Sequence, residues 1–193
     1  MNIGLNAYFF LIACVAAQRL LEVRIAARNT DALLKAGATE FQSSHYTTMK
    51  VLHTSWLIAC LLEASSKSSP PLVEFSIYAG LLFAAGQILR IAAMTKLGPR
   101  WTTRIIVLTD VPPVDGGIYR FIKHPNYLGV ILEIAALPLI FGCWMTAVVF
   151  TVANLALLLG QRIPAEEAAL RSNNSCAQTT EWAHRPRFVP GRS

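Results

Sequence analysis

The sequence predicts an all-α integral membrane protein with about five transmembrane helices, the last two forming a helical hairpin. Three observations predict it. Of 193 residues, 54% are hydrophobic and only 15% are charged, against about 25% charged in an ordinary soluble domain. The charges are segregated, with long apolar stretches alternating with short basic ones. Five of those stretches approach the length that spans a bilayer, roughly 17–25 residues.

The stretches fall at residues 5–27, 47–64, 72–95, 126–142 and 144–161. The first has no basic n-region and no clear small-residue cleavage site, and it runs on into Arg19, Glu22 and Arg24. It reads as a retained helix and not a signal peptide. The last two stretches are joined only by a turn near Gly142. Residues 1–95 form an N-terminal group of membrane helices, and residues 96–193 carry the polar motifs, the hairpin and the tail.

Basic residues set the orientation. Arg28, Lys35 and Lys50 follow the first stretch, Lys96, Arg100, Arg104, Arg120 and Lys123 follow the third, and Arg162, Arg171, Arg185, Arg187 and Arg192 follow the fifth. The loop after the second has only Lys67. Five crossings with the N-terminus outside put every basic segment in the cytoplasm. The net charge of +6 therefore has a membrane explanation, and nothing resembles a nucleic-acid readout element. Cys14, Cys60, Cys143 and Cys176 are scattered, without a CxxC pair, and read as small hydrophobic residues. No metal site is expected. Ser65 to Pro71 reads as a turn-rich external loop.

The chemistry concentrates in the C-terminal half. The stretch from Leu97 to Pro125 is too polar for a membrane helix and too long for a simple connector. Gly116-Gly117 permits backbone angles that let the chain approach a ligand, or simply turn. Pro125 suits the first turn of a helix, which puts His124 at its entrance. Tyr119 and Tyr127 fit interfacial anchors, or walls stacked on an adenine. Arg162 and Glu166 lie four apart on one helix face, either as a surface ion pair or as a grip on a zwitterionic ligand. Pro164 between them favours a helix start or a kink. Glu133 lies within an apolar helix, where a carboxylate is costly and functional by default. The alternative is a structural pair with Arg90 or Arg19. Arg19, Glu22 and Arg24 read as interfacial or mutually paired.

Three motifs in order, Gly98-Pro99-Arg100-Trp101-Thr102, the run from Pro113 to Gly129 (PVDGGIYRFIKHPNYLG) and the run from Arg162 to Glu167 (RIPAEE), with an apolar hairpin between the last two, resemble the isoprenylcysteine carboxyl methyltransferase (ICMT) family over the last two-thirds of the chain. The N-terminal text from Gln18 to His53 looks like a bacterial branch associated with type III polyketide synthases, whose members are thought to methylate alkylpyrones or alkylresorcinols.

The resemblance implies S-adenosylmethionine as methyl donor. It implies cofactor contacts from Val111, Val114, Tyr119, His124, Pro125, Asn126, Tyr127 and Glu166, and an acceptor-side role for Arg162. At Val111 the family commonly has His, so only backbone and apolar contacts are expected there. The family's tyrosine-rich run after the acidic pair is missing from Ser172 to Thr180.

In-line methyl transfer draws most of its rate from positioning. A carboxylate acceptor needs no base, whereas a phenol or enol benefits from one. His124, Glu166 and Glu133 are the candidate bases, and Arg162 and Glu133 are the expected catalytic pair. The expected partners are a lipid-like small-molecule acceptor, membrane lipids and a type III polyketide synthase pathway, with no nucleic acid. The expected location is the inner (plasma) membrane, with the site facing the cytoplasm. A prenylcysteine carboxylate acceptor, a steroid-type membrane reductase using NADPH and a non-catalytic scaffold are the competing readings.

Overall fold

A computed structural model describes residues 3–41, 44–67, 71–173 and 181–188. Cys176, Arg192, Ser193 and part of the Ser65–Pro71 loop lie outside the described residues. The chain is mostly helical: α1 (Ile3–Lys35), α2 (Ser44–Ser65), α3 (Val73–Leu97), α4 (Pro125–Ile140), α5 (Trp144–Leu157) and α6 (Ile163–Asn173). The all-α expectation needs one correction. Strand β1 (Thr39–Phe41) pairs antiparallel with β2 (Ile105–Val107), setting Glu40 opposite Ile106. Three residues per strand leave no sequence periodicity to read, and their pairing spans 64 positions that only the tertiary fold closes.

Each of the five apolar stretches lies largely or wholly within helix. Among the described residues, two helices are long and apolar enough to cross a membrane, over residues 73–100 and 144–173, while α4 is apolar but shorter. On α1, α2, α3 and α5, large apolar side chains face outward, including Phe10, Leu20, Leu62, Leu81, Ile88 and Val152. Outward apolar surface on this scale suits hydrocarbon better than water. Helix α1 is about 50 Å long at 1.5 Å per residue, so it extends well beyond the apolar stretch that ends near residue 27. Gly37 then closes it with φ of 87°, and the Ala38 amide returns to Leu33 O at 3.0 Å.

The α3–α4 contact is the most intimate in the molecule and joins the two halves expected from the sequence. Glycines allow it. A Cβ on Gly129 would lie 2.4 Å from Arg90 Cγ and 2.7 Å from Gly86 O. Small residues let membrane helices approach backbone to backbone. An apolar core packs Tyr8, Ile12 and Val15 of α1 against Trp56 and Cys60 of α2 and Val130, Ile134 and Leu137 of α4. Tyr8 stacks on Phe141 and donates to Leu137 O at 3.1 Å. At the start of α5, the Glu63 carboxylate accepts from the Thr146 amide and hydroxyl at 2.7 Å each. An anion belongs there, because the first amides of a helix are unpaired and its dipole is positive. Helices α4 and α5 follow one another across a turn in which Gly142 has φ of 69°.

Between α5 and α6 the helix widens into a π turn over Leu158–Arg162. Pro164 explains it: the residue has no N–H to give to the carbonyl of Gly160. Single π turns often mark functional positions. This one carries Arg162 inward to 3% exposure, so the kink expected at Pro164 is a widened turn in a continuing helix.

Candidate methyl-transfer site

His124 ends the polar loop as the N-cap of α4, and Pro125 takes the first helical position. The missing proline N–H costs nothing there, because that donor would be unpaired in any helix. The same turn aims Asn126 and Tyr127 into a cavity. That cavity is lined by Val111, Val114, Tyr119, His124, Asn126, Tyr127, Arg162 and Glu166, together with Arg100, Trp101, Ile106 and Leu170. Of the residues expected at the cofactor, Pro125 alone does not line it; it starts the helix that presents its neighbours.

A chain of hydrogen bonds ties the walls together. Arg162 Nη2 donates to Thr103 O at 2.8 Å, and its Nε donates to the Tyr127 hydroxyl at 3.0 Å. The Tyr127 hydroxyl donates in turn to the Glu166 carboxylate. Arg162 and Glu166 share a helix face as their spacing requires, but they meet through Tyr127 and not as a surface ion pair. His124 Nδ1 lies 3.8 Å from Glu166, and its Nε2 is 3.1 Å from Glu167. Burial works to raise the Glu167 pKa, but hydrogen bonds from His124 and Arg187 outweigh it and hold the group at about 2. Burial, reinforced by the Glu166 carboxylate, pushes the Tyr119 phenol well above its ordinary range, so it stays a neutral hydroxyl.

The tail contributes what the sequence motifs did not reveal. The amides of Lys123 and His124 donate to Pro186 O and Arg187 O at 2.9 and 3.1 Å. Arg187 grips Glu167 with two bonds, of 3.0 and 2.8 Å, and Arg185 pairs with Asp115 at 2.9 Å. Residues 181–188 thus strap the loop that carries His124. The available signal was Arg185 and Arg187 in an otherwise bland tail, which topology alone seemed to explain. Gly116 and Gly117, with φ of 110° and 55°, let the backbone fold over the stem of Lys96, which fits the turn reading.

A second cavity of about 620 Å³ lies among the apolar helices, lined by Phe9, Ile12, Ala16, Met49, His53, Leu57 and others of α1 and α2. It shares Trp101, Thr102, Asn126, Tyr127 and Arg162 with the first. Trp101 Nε1, Asn126 Oδ1 and Arg162 Nη1 are buried without hydrogen-bond partners. Buried polar groups are rarely left so, and all three belong to side chains that line both cavities.

Glu133 sits elsewhere. It is fully buried and lines neither cavity among the described contacts. Arg90 Nη1 donates to its two oxygens at 3.2 and 2.8 Å, and Arg19 donates to it as well. Both arginines also bind Glu22, and Gln18 donates to Glu22 at 2.8 Å. Two arginines and two glutamates therefore neutralise one another. This is the structural alternative for Glu133: its carboxylate accepts three hydrogen bonds from two guanidinium groups.

The first cavity's donor set fits S-adenosylmethionine. Arg100 can meet a carboxylate. Glu166, with its side chain 30% exposed, retains acceptor capacity for an amine or ribose hydroxyl. Ile106, Val111, Val114 and Leu170 give apolar walls for an adenine.

Fold and site together define a helical protein with outward apolar faces, in which a polar pocket and a larger, mostly apolar cavity share a wall. Residues 78–172 match the model of the isoprenylcysteine carboxyl methyltransferase (ICMT) family. The chain is 35% identical over 164 residues to the uncharacterized protein YpbQ of Bacillus subtilis, covering 85% of this chain and 96% of that one. It is 28% identical over 163 residues to an uncharacterized protein of Haemophilus influenzae, covering 82% and 91%. The chain belongs to the ICMT family, a family of membrane methyltransferases.

Proposed function

We propose that this protein transfers a methyl group from S-adenosylmethionine to the oxygen of a lipid-like acceptor, at the cytoplasmic face of the inner (plasma) membrane, as a multi-pass protein of five crossings whose last two helices form a hairpin. The observation that carries the reading is the shared wall of the two cavities. A water-soluble cofactor in the polar cavity and a long-chain acceptor in the apolar one would meet at Trp101, Asn126, Tyr127 and Arg162.

S-adenosylmethionine supplies an electrophilic methyl carbon on a positively charged sulfur. The residues supply position. Glu166, His124 and Tyr119 would hold the cofactor side, with Val111 and Val114 as apolar walls. Arg162 would orient the acceptor head, because its guanidinium stays charged and has Nη1 to spare. Trp101 Nε1 is a second donor for the same head. Lateral entry from the bilayer favours long tails, since each CH₂ exposed to water costs about 0.8 kcal/mol.

Alkylpyrones or alkylresorcinols, supplied by a type III polyketide synthase pathway, suit such a cavity, and a prenylcysteine carboxylate is the alternative acceptor. The test is calorimetry with S-adenosylhomocysteine and with NADPH in detergent, followed by methylation assays over an acceptor series of increasing tail length. Binding of the homocysteine product and activity that grows with tail length are expected. Binding of NADPH instead would make the protein a reductase, and equal rates for short and long tails would remove lateral entry. A cytoplasm-dependent reporter fused after Ser193 should be active, and a silent but inserted fusion would reverse the topology.

A further inference from the structure

The apolar cavity is also lined by a histidine that the methyl-transfer reading has not used. His53 lies on α2, before the region that matches the family, and lines the cavity with Met49 and Leu57. Its Nδ1 is 2.7 Å from the carbonyl oxygen of Met49. A carbonyl can only accept, so Nδ1 carries the proton of that bond. In the neutral ring the other nitrogen, Nε2, then presents a lone pair. Among the described residues Nε2 makes no hydrogen bond.

Its place in the cavity suits proton transfer. Met49 packs against the cluster of Tyr127, Leu158 and Ile163, at the layer where the two cavities meet. His53 follows four residues later, about 6 Å along the axis, and lines the same cavity as Tyr127 and Arg162.

The other candidates around it are occupied. On α1 and α3, Arg19, Glu22 and Arg90 are bound to one another, and Glu133 of α4 closes that network. On α2 itself, the Lys50 ammonium lies over the Tyr46 ring at 4.5 Å. Across the cavity, Arg162 is a donor and Glu166 already accepts from Tyr127. His124 is held at Glu167.

We infer that His53 is the general base for the acceptor, and that the acceptor therefore presents a hydroxyl of a phenol or enol on a long apolar chain, not a carboxylate. The inference rests on the methyl-transfer reading. The hydroxyl O–H bond breaks and its proton passes to His53 Nε2. The oxygen forms a bond to the methyl carbon as the carbon–sulfur bond breaks and its electron pair goes to sulfur. The products are a methyl ether, neutral S-adenosylhomocysteine and a proton that leaves His53 for solvent before the next turnover.

The experiment compares the full-length wild type with His53→Gln in detergent, using a long-chain 3-alkylphenol and a fatty carboxylate of matched chain. His53→Gln is expected to lower kcat on the phenol about 100-fold, within the range of a lost general base. KM for the phenol and affinity for S-adenosylhomocysteine should stay within threefold. If the variant does not fold, His53→Ala takes its place, and phenol methylation at the wild-type rate in that folded variant overturns the inference. A His53→Gln rate within twofold of wild type also overturns it. So does a wild type that methylates the carboxylate and not the phenol, an outcome that leaves methyl transfer itself standing. Absence of S-adenosylhomocysteine binding together with inactivity on both acceptors would instead remove the methyl-transfer reading and this inference with it.

Discussion

Two acidic clusters are buried in this molecule, and they are built to opposite ends. Between α1, α3 and α4, Glu22 and Glu133 face Arg19 and Arg90, and each carboxylate is paired with both guanidinium groups. At the polar pocket, Glu167 is saturated by His124 and Arg187, but Glu166 takes one hydroxyl from Tyr127 and keeps part of its surface open. Burial alone does not mark a functional acid. A buried charge becomes useful when its surroundings leave it accessible: Glu133 is fully buried against two arginines, whereas the Glu166 side chain is 30% exposed in the pocket.

The largest effect should come from breaking the frame of the membrane cluster. In Gly129→Val the new side chain would run into Arg90 and the Gly86 carbonyl, atoms that cannot move without separating α3 from α4. We expect almost no monodisperse protein on size-exclusion chromatography in detergent. Recovery of wild-type yield would show that the α3–α4 approach is looser than described.

Next in size is Glu133→Ala. Removing one partner of a buried ion network leaves uncompensated arginine charge, typically a loss of about 3–5 kcal/mol. Thermal unfolding in detergent should fall markedly, while the surviving folded fraction binds S-adenosylhomocysteine as wild type does. Unchanged stability with lost methylation would return Glu133 to catalysis.

At the pocket the pattern should invert. Glu166→Ala and His124→Ala are expected to weaken S-adenosylhomocysteine binding by tenfold or more in calorimetry, with unfolding temperatures lowered less than by Glu133→Ala. Wild-type affinity in both folded variants would mean the cofactor contacts lie on other residues.

The smallest effect concerns pH. The folded pKa of Glu167 is depressed from 4.5 to about 2, so its contribution is complete above 4.5 and is lost as pH falls from 4.5 toward 2. Wild-type unfolding temperature should drop through that window more steeply than that of Arg187→Ala. Parallel curves would show that the Arg187 pair contributes nothing to holding the tail strap.

Much of the frame was legible. The apolar stretches named their helices because span length is a local property, and His124-Pro125 announced a helix entrance because proline chemistry is local too. Val111, Val114, Tyr119, His124, Asn126, Tyr127, Arg162 and Glu166 share one cavity, as their motifs implied. Other features were not legible. The strand pair leaves no period in three residues. The strap depends on backbone bonds from residues 186 and 187 to 123 and 124, which no side-chain pattern reports. His53 carries no sequence signal of its own, since its value depends on which cavity it faces and on the bond that fixes its tautomer.

By itself, then, the sequence determined the helical segments, the polar motifs between them and the family they belong to, because composition, proline placement and short spacings act within a few turns of chain. The tertiary structure decided the rest. Arg19 and Arg90 reach Glu133 across 114 and 43 positions, and that encounter exists because Gly86 and Gly129 let two helices close. The same packing sets a polar pocket and an apolar cavity against one shared wall. Ion pairs and cavities are properties of distances in space, and those distances were fixed only when the helices packed.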